Sequence, residues 1–107
     1  MRHNFEAQRR ETFDTFRDMP KGPKLPDRAP VDFLFLPEEE EARYDALGKA
    51  LRAKGFDVTR DDDLLVATIT LAIKPEAIWE AERLATEIAL GFDFYPDGWD
   101  LGVEDQA

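Results

Sequence analysis

The side chains that could do chemistry in this chain are carboxylates, and few other reactive groups accompany them. The chain has no serine and no cysteine, and its one histidine, His3, stands beside the N-terminus. Ser-His-Asp and Cys-His nucleophile systems are therefore excluded. A histidine-based zinc site within one chain lacks its ligands. Two acidic runs remain, Glu38-Glu39-Glu40-Glu41 and Asp61-Asp62-Asp63. A divalent cation of the magnesium type needs converging oxygen ligands and usually a phosphate substrate. The first run follows Pro37 and reads as the opening turn of a helix, where carboxylates interact favourably with the helix dipole. The second reads as a solvated hairpin turn. No carboxylate pair has a recognisable acid–base arrangement, and no Gly-rich loop would cradle a phosphate. The expectation is a protein that is not an enzyme, with no catalytic, cofactor or metal site.

Recognition is the chemistry the residues do favour. The stretch Phe92-Asp93-Phe94-Tyr95-Pro96-Asp97-Gly98-Trp99 holds four aromatic side chains and a turn signal. Tryptophan is strongly enriched among interface anchors, so Trp99 is the leading candidate for protein contact, with Trp79 as a second. The alternative for Trp99 is a core residue that seals the end of the sheet, and the two readings are compatible. Asp93, Tyr95, Asp97 and Gly98 complete the candidate protein-binding set. The net charge of −10 is uneven. Residues 1–30 carry seven Lys/Arg and five Asp/Glu (7 − 5 = +2), and residues 31–107 carry seven and nineteen (7 − 19 = −12). Such a body repels nucleic acid, whose binding rests on phosphate neutralisation, and favours a basic protein partner.

The elements that must position these residues can be read in order. At 107 residues the chain is one domain. No run reaches the ~18 apolar residues of a membrane span, and Met1-Arg2-His3-Asn4-Phe5 does not open a signal peptide. The expected location is the cytoplasm. Residues 4–19 have a helical apolar stripe (Phe5, Phe13, Phe16, Met19) with Asn4 as N-cap. Residues 20–30 are Pro-rich and read as a linker, which leaves residues 31–107 as the main body.

That body begins with a strand from Val31 to Leu36, apolar on both faces and so expected in the middle of a sheet. A helix from Pro37 to Gly55 follows, burying Tyr44, Leu47, Gly48 and Leu51. Phe56–Arg60 and Leu64–Ile73 read as a hairpin around the three aspartates, the second strand central. A helix from about Pro75 to Gly91 has the stripe Ala77, Ile78, Ala81, Leu84, Ala85 and Ile88, with Trp79 at its margin. Phe92–Tyr95 is the last strand, Pro96-Asp97-Gly98 the turn that ends it, and the residues from Asp100 on fray. The order βαββαβ, with right-handed crossovers, points to an α+β fold. It is the ferredoxin-like two-layer sandwich, an antiparallel sheet of order 4-1-3-2 with an extra N-terminal helix. Two helices cover one face only. The other face is expected to be covered by the N-terminal helix folding back, or else by a second copy in a homodimer.

With the elements placed, the chain from about Val31 to Glu104 resembles the type B regulators of ribonuclease E activity (RraB-like ribonuclease E inhibitors). The resemblance rests on Glu87-Ile88-Ala89-Leu90-Gly91-Phe92-Asp93 followed by Asp97-Gly98-Trp99. The family carries an aromatic before its D-G-W, where this chain has Pro96 with Tyr95 one place earlier. The resemblance implies a ferredoxin-like fold, no catalysis, and modulation of RNA decay by binding ribonuclease E rather than RNA. The alternative reading is a small-molecule-sensing or dimerising domain of the same fold.

Overall fold

The computed structural model describes residues 3–19, 26–39 and 41–101. The expected linker core at 20–25 and the fraying tail at 102–107 lie outside the described residues. Among the described residues the chain forms three helices and four strands in the order α1 (Phe5–Asp18), β1 (Arg28–Pro37), α2 (Tyr44–Arg52), β2 (Asp57–Asp61), β3 (Leu64–Ala72), α3 (Pro75–Leu90) and β4 (Phe94–Leu101). The strands make one antiparallel sheet of order β2-β3-β1-β4. From the opposite edge that is 4-1-3-2, with β1 and β3 central as their two-sided apolarity requires.

Alternation along β1 builds the core. Ala29, Val31, Phe33 and Phe35 are buried, while Pro30 is exposed and Asp32, Leu34 and Leu36 are half-buried. Antiparallel pairing places Ile69, Ala67 and Leu65 of β3 opposite Val31, Phe33 and Phe35 on that inner face. Leu47 and Leu51 of α2 and Ile78, Ala85 and Ala89 of α3 pack down on it, and Phe94 closes the β4 side. Phe56, just before β2, meets Phe33 edge-on with ring centroids 6.4 Å apart.

Three expectations change. First, the helix predicted from Pro37 starts at Tyr44. Pro37 is instead the last residue of β1, paired with Phe94, and Glu38 N–H donates to Asp93 O at 2.9 Å. Pairing with β4 continues the strand through the proline, and Glu38 and Glu39 follow it outside any helix. Residues 28–30 likewise belong to β1 and not to the linker.

Second, α1 does not cover the outer face of the sheet. It lies against α3, joined by Gln8–Thr86 and Thr12–Glu82 hydrogen bonds. The stripe expected on α3 is correspondingly shifted. Trp79, Glu82 and Thr86 are buried, while Leu84 is exposed. A helix flanked by both a sheet and a second helix buries two faces, and a single apolar stripe describes only one of them.

Third, β4 does not end at Tyr95. It runs to Leu101, and Pro96-Asp97-Gly98 is a bulge inside it. Three residue steps separate Pro96 from Trp99, whereas two separate their partners Phe35 and Phe33, so one extra residue is accommodated on β4. Gly98 sits there at φ +98°, with nothing within 4 Å of the place a Cβ would take. Its constraint is conformational, not steric. Gly98→Ala is expected to lower unfolding free energy by about 1 kcal/mol, and Gly98→Asn by less, because asparagine tolerates the left-handed region. Urea unfolding of the two variants checks the order.

Candidate functional site

The bulge fixes where Trp99 points. By pairing with Phe33 it is placed on the inner face, beneath α1, and it is only 8% exposed. It lines two recesses that meet along the seam between α1 and β4. One, of about 390 Å³, is bounded by Gln8, Glu11 and Thr12 of α1, Glu82 of α3, and Pro96 and Gly98 of β4. The other, of about 530 Å³, runs past Glu11, Asp14, Asp18 and Met19 to Leu101. Glu11, Thr15 and Trp99 are common to both. The seam is thus a continuous groove with an aromatic wall and three carboxylates on its helical rim. Arg17 answers part of that charge, 3.3 Å from Asp14 and 3.1 Å from Asp18. Glu11 makes no ion pair among the described residues. The Trp99 indole N–H donates to no described residue, yet it is not sealed from solvent.

At the inner end of the groove lies a polar clasp. Gln8 Nε2 donates to Thr86 Oγ1 at 3.0 Å, and Thr12 Oγ1 donates to Glu82 Oε1. His3 Nε2 lies 2.6 Å from Gln8 Oε1, so the histidine is held in place by its neighbour. Burial raises the Glu82 carboxyl above the usual carboxylate range, and the hydrogen bond from Thr12 together with the neighbouring Gln8 amide acts against that rise. The nearby Glu11 charge adds to the rise, and His3 reduces it.

The six residues singled out from sequence do not converge. Trp99 and Gly98 line the groove. Trp79 is buried on the far side of α1, where Arg9, Phe13 and Arg83 border a separate recess. Tyr95 is 42% exposed and pairs with Leu36 on the outer face of the sheet. Asp97 is exposed at the bulge. Asp93 has a part in the fold. At φ 64° it turns the chain from α3 into β4, and its carboxylate lies 3.4 Å from Arg43. Asparagine and aspartate are the non-glycine residues that tolerate that conformation best.

Sequence reasoning missed Gln8, Thr12, Glu82 and Thr86. A signal was there: Gln8 and Thr12, and Glu82 and Thr86, are each four apart. Glu82 also falls between Ile78 and Ala85 on the buried side of its helix. Among the described residues no group of His, Cys, Asp or Glu is placed to hold a metal ion, and no helix is long and apolar enough to cross a membrane. No protein-family model matches the chain, and none of the curated proteins matches it.

The clasp gives a pH prediction. A carboxyl whose folded pKa is raised contributes stability that is complete below its unfolded value, near 4.5. That stability is lost as pH rises through the folded value. Glu82→Gln keeps an acceptor for Thr12 and removes the buried charge. Thermal melts from pH 4 to 8 are expected to show the variant gaining on the parent as pH rises, with the difference smallest at the acid end.

Proposed function

We propose that this protein is a non-catalytic regulator that acts by binding another protein, with the α1–β4 groove receiving a basic, extended segment of the partner. The observation that carries this reading is Trp99: a nearly buried indole, its N–H without an acceptor among the described residues, that lines a groove edged by Glu11, Asp14 and Asp18. A peptide supplies both complements, a backbone carbonyl for the indole N–H and Lys or Arg for the carboxylates. The −12 balance of residues 31–107 supports a basic partner and disfavours RNA as the direct ligand.

The resemblance in Glu87–Asp93 and Asp97-Gly98-Trp99 nominates ribonuclease E as that partner, so that RNA decay would be modulated by protein contact. We read the fold as ferredoxin-like with α1 added, a reading supported by the βαββαβ order and the central placement of β1 and β3.

Calorimetric titration against a ribonuclease E fragment that contains its basic segments tests the proposal. Binding is expected in low salt, weakening as salt rises. Glu11→Lys, a change at the groove rim that breaks no ion pair among the described residues, is expected to weaken it about tenfold. Absence of binding at tens of micromolar in low salt removes ribonuclease E as the partner. Binding that Glu11→Lys leaves unchanged removes the groove as the site.

A further inference from the structure

The outer face of the sheet is a second surface, turned away from the groove, and no described element covers it. Its side chains form rows across the strands. Tyr95 is paired with Leu36, and Leu64 with Asp61 of β2. Leu34 and Val66 are directly paired in the next, beside Thr59. The third row reads Asp100, Asp32, Thr68, Asp57 from one edge of the sheet to the other. Its acids are not there by default. Asp32 and Asp100 are paired across neighbouring strands, where side chains lie about 5 Å apart and like charges destabilise the sheet. Thr68 donates to Asp32 at 2.6 Å, which fixes the carboxylate without neutralising it. Arg28, at this end of the sheet, donates to the Thr70 carbonyl and not to either aspartate. No ion pair is made by Asp32, Asp57 or Asp100 among the described residues. A local rule of sheet stability is broken beside an open apolar patch, which is the pattern of a surface completed by a partner.

We infer that this face docks a basic amphipathic segment of a protein partner, its apolar side chains on Leu34, Leu36, Val66 and Tyr95 and its Lys or Arg side chains on the Asp32–Asp100 pair. Charge decides against the other occupants. A second copy brings a further row of aspartates to the same interface. The N-terminal helix is already engaged with α3. Nucleic acid is repelled by the same carboxylates. The inference concerns a different surface from the groove and stands whether or not ribonuclease E is the partner.

The test uses the full chain and a synthetic peptide of leucine and lysine at helical amphipathic spacing, with an all-polar peptide of equal charge as control. Amide shifts in two-dimensional NMR are expected at Leu34, Leu36, Val66, Thr68 and Tyr95, with the control peptide at least tenfold weaker. The Asp32→Asn, Asp100→Asn double variant keeps an acceptor for Thr68. It is expected to melt about 2–5 °C higher, because the like-charge pair is gone, and to bind the leucine–lysine peptide at least tenfold more weakly. Three outcomes overturn the inference: equal binding of the two peptides, shifts confined to α1 and Trp99, or a protein that dimerises through this face without peptide. A double variant that melts lower than the parent also counts against it.

Discussion

The alternation of β1 between a sealed face and an open one governs the molecule. Val31, Phe33 and Phe35 are fully buried, and each such side chain contributes roughly 1.5–3 kcal/mol of transfer free energy. To bury them, α2 and α3 must lie on one side of the sheet, and the pairing of β3 and β4 to β1 carries Leu65, Ala67, Phe94 and Trp99 to the same side. Leu34 and Leu36, one step along the strand, are then committed to the opposite side. Whatever covers them comes from outside these helices.

The N-terminal helix could have met that need and does not. Its docking is chosen by polar groups as much as by apolar ones. Gln8 and Thr12 find Thr86 and Glu82, and each bond is buried between two helices where an unpaired group would be costly. Specific pairing of this kind holds α1 in one register on α3, and Phe16 joins the core below it. The same docking roofs Trp99 and creates the groove, so the candidate site is a by-product of where α1 sits. A buried carboxyl with a raised affinity for its proton is what this arrangement costs in stability at neutral pH.

Most of the fold was legible because the strong signals are local. Asn4 caps α1 as expected, its side chain accepting from the Ala7 N–H, and the two-sided apolarity of β1 and β3 announced central strands. The hairpin at Asp62-Asp63 followed from turn residues between alternating runs. What was not legible depends on tertiary pairing. Pro37 reads as a helix start by its neighbours and is a strand end because Phe94 lies opposite it. Pro96-Asp97-Gly98 reads as a terminal turn and is a bulge because Phe33 still has Trp99 to pair with. In the candidate site, sequence leaves Trp99 open between a core residue and a contact, and only the register of β4 on β1 shows that it is nearly buried and walls a groove. The cost of the Asp32–Asp100 pair is invisible until register is known.

All three helices share one face of the sheet and leave the other open. Solvent paramagnetic relaxation by a neutral soluble gadolinium chelate measures this most directly. Strong enhancement is expected at the side chains of Leu34, Leu36, Leu64, Val66 and Tyr95, and little at Val31, Phe33, Phe35 and Phe94. Protection of Leu34 and Val66 together with nuclear Overhauser contacts from Phe5, Phe13 or Phe16 to them would contradict it, because α1 would then cover the sheet.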